Sequence, residues 1–168
     1  MFNSNPTLAA CALALLGTTL LPAAAQQTAS VPVAVPGTPG ALVSGVALAE
    51  QLKAAAAKSA DPAVAEIGVT DQYAIHEVRR LKAGPAAVHP GWSEVHLILE
   101  GSGTLITGGK MIPGANGNTI EGGVSHALKK GDVFIIPANT PHMYSQVDGS
   151  VTYFETRFVT SPPAGAPK

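Results

Sequence analysis

The chain has 168 residues, enough for one domain with a real core, and a formal net charge of −1 with only 12% charged residues. So neutral a balance gives no basic face, which excludes nucleic acid and anionic membrane surfaces as expected partners. The 18 glycines and 14 prolines suit an all-β protein built of many short strands.

Residues 1–25 read as a signal peptide. Leu8 to Leu21 is an apolar run, and Ala23-Ala24-Ala25 offers an A-x-A cleavage site before Gln26. The run is short for a membrane span. No Lys or Arg precedes it, so the n-region has only its amino terminus. Leu8-Ala9-Ala10-Cys11 looks like a lipoprotein cleavage box but lies before most of the apolar run. Export with cleavage after Ala25 is therefore the expectation, which gives a periplasmic or secreted protein with no membrane attachment once cleaved. The mature chain would contain no cysteine, so disulfides and thiol catalysis fall away.

Residues 26–62 form a Pro-rich linker and a short helix. Pro32, Pro36 and Pro39 among small residues read as an extended strap lying on a barrel. Ser44 stands where a helix N-cap belongs, and Leu48, Leu52 and Ala55 or Ala56 recur at helical spacing, which predicts a helix over 46–60. Asp61-Pro62 ends it.

From Ala63 the pattern changes to strands, predicted near 64–69, 72–82, 94–100, 102–107, 126–129, 132–136, 142–147 and 150–159. Gly101-Ser102-Gly103 is a hairpin signal between two of them. Lys110 to Gly123 reads as a Gly/Asn-rich loop overhanging one mouth of the barrel. Residues 63–160 thus make one β-barrel, and 161–168 a Pro/Ala-rich flexible tail.

The chemistry-bearing residues cluster late in the chain. His89, Glu94, His96 and His142 offer three imidazoles and a carboxylate that a barrel could aim at one centre, a donor set favoured by divalent transition metals. Strand alternation puts Glu94 and His96 on one face, and Val95, Leu97 and Leu99 on the other. Periodicity alone would bury the apolar set and leave Glu94, His96 and Glu100 in water. His142 would bring Tyr144 and Gln146 to its own face, as lining of a substrate pocket with Trp92 at the rim. His76 and His126 read as structural or solvated. Arg79 and Arg80 must split between the faces of their strand, and the pattern does not say which one turns inward.

These residues resemble the cupin superfamily. Glu94-Val-His-Leu-Ile-Leu-Glu-Gly101 looks like the second half of the first cupin motif, a glutamate followed after six residues by glycine. Gly131 to His142 looks like the second motif, with Pro137 in place, Asn139 at a glycine position and Gln146 where the motif ends in asparagine. Asparagine tolerates the left-handed conformation better than most residues, so Asn139 is a mild departure. The resemblance covers about 80 residues, from Leu81 to Phe158. One departure weighs more. The first motif carries two histidines before its glutamate, and Ala87 stands at the first of these positions, with His89 at the second. Leu81 also stands where the motif leads with glycine.

The resemblance implies a cupin-type jelly-roll β-barrel with Glu94 turned inward, reversing the choice that periodicity alone would make. It implies His89, Glu94 and His142 as ligands of a divalent metal (Fe, Mn, Zn or Ni), with His96 as this chain's own candidate for a fourth. Two functions follow. One is an exported small-molecule-binding cupin that oxygenates, isomerises or hydrolyses a small organic substrate at the metal. The other is a non-catalytic ligand-binding or structural module without metal, as the alanine at position 87 suggests. An inward Glu94 requires Val95, Leu97 and Leu99 to be covered from outside, by the strap and helix or by a homodimer partner.

Overall fold

Ser44 starts the helix that its position predicts. In the computed structural model, which describes residues 37, 39–58 and 61–160, α1 spans Gly45–Lys58. The Ser44 Oγ accepts the backbone N–H of Ala47 at 3.2 Å, pairing one of the amides that a first helical turn leaves free. Leu48 is the helix's buried residue, a thin stripe as expected. Gln51 Oε1 accepts the backbone N–H of Glu66 at 3.1 Å and ties α1 to the first strand. The expected signal peptide, the larger part of the expected strap and the expected tail lie outside the described residues.

Eight strands follow: β1 Ala63–Val69, β2 Tyr73–Arg80, β3 Trp92–Thr107, β4 Lys110–Gly114, β5 Gly117–Glu121, β6 Val124–Lys129, β7 Val133–Ile136 and β8 His142–Val159. The main sheet runs β1-β2-β8-β3-β6, with β7 paired to β3 beside it, and every pairing is antiparallel. β3 and β8 are its spine. They pair along nearly their whole lengths and carry different neighbours at their two ends, β7 beside residues 94–97 and β6 beside residues 102–107. Bending this long pair folds the sheet over on itself, and the result is an all-β jelly roll of the cupin type.

Two expectations need correction. Gly101-Ser102-Gly103 does not reverse the chain but bends one continuous strand. Gly101 takes a φ of +75°, and β8 compensates with a bulge, since Gly101 pairs with Val151 while Gly103 pairs with Val147. Ser102 Oγ donates to Asp148 Oδ2 at 2.9 Å across this bend. The stretch 110–123 is not an open loop either. It forms the β4–β5 hairpin, with Gly114 opposite Gly117. Ala86 donates its backbone N–H to the Asn118 carbonyl, which fastens the hairpin to the segment before β3.

The alternation of β3 is settled by burial. Glu94, His96 and Ile98 are buried, whereas Leu97 is exposed and Val95 and Leu99 are half-buried. The apolar core of Val78, Ile98, Leu105, Leu128, Ile136, Tyr144, Val151 and Tyr153 fills the middle of the barrel. Burying each Leu or Ile contributes about 1.5–3 kcal/mol, so the strand can carry two ionisable groups inward at its other end. Of the two arginines, Arg80 turns inward and donates Nε–H to the Tyr153 hydroxyl at 2.9 Å, while Arg79 is exposed.

Candidate metal centre

Cross-strand pairing builds the site in two adjacent rows. In the first, Arg157 of β8 lies opposite Glu94 of β3, which lies opposite Ile136 of β7. In the second, His76 of β2 faces Glu155 of β8, which faces His96 of β3. Paired residues share a face of the sheet, so one inward glutamate brings its whole row with it. His142 arrives separately, at the start of β8, where its backbone pairs with that of Ala87 through two hydrogen bonds. His89 follows two residues after Ala87 and is held by its carbonyl, which accepts the Trp92 N–H at 3.2 Å.

Glu94 is the hinge of the arrangement, and its two oxygens do different things. Oε1 faces Nε2 of His89 at 3.4 Å and Nε2 of His142 at 3.6 Å. Oε2 faces Nε2 of His96 at 3.3 Å and Nε of Arg157 at 3.7 Å. The carboxylate is buried, and Oε1 has no hydrogen-bond partner among the described residues. A buried anionic oxygen without a donor is costly unless something else compensates it. His142 cannot readily do so as a neutral ring. Its Nδ1 lies 3.0 Å from the Thr140 carbonyl, an acceptor, so Nδ1 carries the proton and Nε2 keeps its lone pair. Burial lowers the pKa of His89, against the opposing pull of Glu94, and so favours its neutral form. Two imidazole Nε2 atoms and a carboxylate oxygen converging on one point are what a cation would satisfy.

The structure separates His96 from that set. Its Nε2 lies between Glu94 Oε2 and Glu155 Oε2, at 3.3 and 3.6 Å, and its Nδ1 lies 3.4 Å from the Tyr144 hydroxyl. Burial opposes a charged ring here, but the hydrogen bonds to Glu155 and Glu94 outweigh it and raise the His96 pKa. An Nε2 that donates to two carboxylates has no lone pair to give. His89, Glu94 and His142 form one group able to hold an ion, and Glu94, His96 and Glu155 another. In the second, Arg157 Nη2 already compensates Glu155 Oε1 at 2.8 Å. In the first, Arg157 Nε approaches only Glu94 Oε2, at 3.7 Å, and Oε1 faces the two histidines alone, so the donor chemistry favours it.

The pocket residues expected from sequence divide. Tyr144 is buried, stacked on Tyr153 with ring centroids 5.2 Å apart, and reaches His96. Gln146 is exposed and donates to Asp148 Oδ1. The cause is a bulge: Thr104 pairs with Gln146 but Leu105 with Tyr144, so Ser145 is an extra residue that reverses the alternation. Val147 packs on the core in its place. Trp92 is half-buried at the start of β3. His126 packs its ring on Phe134, with centroids 4.7 Å apart. Glu155, Arg157 and the inner-row role of His76 were not anticipated. The signal was present, because Val151, Tyr153, Glu155 and Arg157 recur at every second position.

A family model described as "Cupin domain" matches residues 77–154. Solved structures with a similar fold include the Schizosaccharomyces pombe Cnp3 cupin domain, 14% identical with a TM-score of 0.47, covering 59% of this chain and 65% of that one. TT1209 from Thermus thermophilus is 16% identical with a TM-score of 0.47, covering 60% and 85%. A predicted oxalate decarboxylase from Thermotoga maritima is 14% identical with a TM-score of 0.40, covering 52% and 66%. The chain thus spans slightly less than two thirds of the first and third of these. No curated protein matches it.

Proposed function

Since this chain belongs to the cupin superfamily through residues 77–154, we propose that its barrel holds a divalent transition metal on His89, Glu94 and His142 and transforms a small organic molecule there. The observation that carries the reading is Glu94 Oε1, buried, without a hydrogen-bond donor, and facing the Nε2 atoms of two histidines. Two imidazoles and one carboxylate suit Fe, Mn, Zn or Ni and leave coordination positions free. Such an ion supplies Lewis acidity or an oxygen-binding position, which suits oxygenation, isomerisation or hydrolysis.

The other residues orient that set. Thr140 fixes the tautomer of His142 through Nδ1. His96 holds Glu94 Oε2, so Oε1 keeps its direction toward His89 and His142. Tyr144 steadies His96 from the far side; burial holds its phenol pKa well above the ordinary value, so it remains a neutral hydrogen-bonding group.

Elemental analysis of the protein purified without chelator tests this reading, beside His142→Ala. Near-stoichiometric metal in the wild type that disappears in the variant is the expected result. No metal in either, after exposure to Fe, Mn, Zn and Ni, refutes it.

One observation favours a second reading, a non-catalytic module that binds a small ligand without metal. Ala87 occupies the position of the missing first histidine and pairs directly with His142, so the family's four-ligand set is short by one. Turnover that vanishes in both Glu94→Ala and His142→Ala, with folding intact, excludes the second reading.

Export carries over as a proposal, supported by the apolar run Leu8 to Leu21 and the alanines before Gln26. It assigns the barrel to the periplasm or the medium. N-terminal sequencing of the natural product should begin at Gln26, and an intact N-terminus would sink the idea.

A further inference from the structure

Two partly open side chains flank the candidate centre. His89 and Arg157 are each 28% exposed, while Glu94 beneath them is 1% exposed and His142 10%. The buried carboxylate is thus flanked by an imidazole and a guanidinium that both reach the surface. Arg157 is inward because it pairs with Glu94 across the β3–β8 ladder. Its plane is set by Nη2 on Glu155 Oε1 at 2.8 Å and by the buried Nε, which lies 3.7 Å from Glu94 Oε2. An arginine held along its Nε–Nη2 edge by two carboxylates, with its side chain still 28% exposed, matches carboxylate or phosphate oxygens better than any neutral group does.

Charge points the same way. Glu94 and Glu155 bring two carboxylates into the cluster, each faced by histidine and arginine nitrogens. Arg157 offsets one of the two. A divalent ion on His89, Glu94 and His142 would leave this part of the barrel with a net positive charge. Charge excess in a buried site is costly until a counter-charge enters.

We infer that Arg157 is a specificity-determining residue that binds an anionic group, a carboxylate or a comparable oxoanion, on the small molecule entering beside Glu94. The inference rests on the proposed metal reading for its charge balance, and on the geometry of Arg157 alone for its recognition chemistry. It assigns the ligand to the small organic acids. One anionic oxygen takes the guanidinium donors while the rest of the molecule faces His89 and His142.

Calorimetric titration of malonate, a dicarboxylate, against its neutral analogue malonamide tests this on the full chain. Wild type, Arg157→Gln and Arg157→Lys are each titrated metal-free and loaded with zinc, and their zinc content is measured. Malonate should bind zinc-loaded wild type at least ten times more tightly than Arg157→Gln, and Arg157→Lys should fall between them. Malonamide should not distinguish the three, and zinc content should be equal. Equal malonate affinity in wild type and Arg157→Gln overturns the inference, as does a wild type that binds no malonate. Loss of zinc in Arg157→Gln also overturns it, because Arg157 would then act by holding Glu94 and Glu155. If wild type takes up no zinc, the metal reading fails separately. The metal-free titration then decides about Arg157, with arginine-dependent malonate binding upholding the inference and its absence ending it. Should Arg157→Gln not fold, the comparison with Arg157→Lys carries the same outcomes.

Discussion

At the scale of single residues, the centre depends on where protons sit between Glu94, His96 and Glu155. Burial works against the Glu155 carboxylate, yet hydrogen bonds to His76 and His96 and the charge of Arg157 lower its pKa. A folded pKa below the unfolded value of about 4.3 means that ionised Glu155 adds stability above about pH 5. That stability is lost as pH falls through the folded value. His96 has the opposite sign. Its raised pKa adds stability that is complete below about pH 6.5 and lost as pH rises through the folded value. Glu155→Gln should therefore cost about 3 kcal/mol at neutral pH, since it strips the buried partner from Arg157. It should also flatten the acid limb of the stability profile and move the alkaline loss due to His96 to lower pH. Urea unfolding across pH 3–9, in roughly unit steps, reads all of these, and an acid limb unchanged by the substitution would show that the Glu155 charge contributes nothing. Tyr153→Phe is a sharper probe of the neighbouring network. It removes the acceptor of the Arg80 Nε–H, so it should cost about 1–3 kcal/mol in the same assay while leaving metal content unchanged.

At the scale of elements, the barrel depends on a bend that the sequence announces and disguises at once. Gly101 and Gly103 read as a hairpin because two glycines around a serine are common turn chemistry. What the pattern does not carry is the length of the partner strand, and β8 runs past the bend without breaking. Gly101 is irreplaceable there for two reasons: its φ is +75°, and a Cβ on it would run into the Ser150 backbone carbonyl. Gly91 has a similar φ of +78° with open space around it. Gly91→Ala should thus cost about 1–2 kcal/mol from backbone strain alone, and Gly101→Ala clearly more. Thermal unfolding of both variants checks this, and equal costs would mean that the close approach of β8 at the bend is unimportant. Other elements were legible for identifiable reasons. Ser44 and the alanine run specified α1, and the second motif put His142 at a strand start. Glu155 and Arg157 were missed because a mixed Tyr-x-Glu-x-Arg alternation looks like a solvated strand face until its partner strand is known. Gln146 was misassigned because a bulge at Ser145 leaves no trace in composition.

At the scale of the molecule, an inward polar face on β3 creates an outward apolar one. The helix meets only part of that requirement: Leu52 of α1 lines a cavity with Leu99, Glu77 and Arg79, at one end of the face. The rest is an open groove lined by Ile67, Ile75, Val95, Leu97, Phe154 and Thr156. Beside it on β7, Val133 and Ile135 are 60% and 64% exposed, and they pair with Leu97 and Val95. The apolar surface therefore crosses β1, β2, β8, β3 and β7 without a charged residue among those named, a breadth that a single extended segment would cover only in part. Continuous apolar surface of this kind marks a contact surface, and two copies packed face to face about a two-fold axis would bury it on both at once. Sedimentation should accordingly find a homodimer for the wild type and a monomer for Leu97→Lys combined with Ile135→Lys, with metal content unchanged because both side chains point away from Glu94. A wild type that sediments as a monomer at micromolar concentration excludes the second copy as the cover. A dimer that survives both substitutions moves the interface to another face.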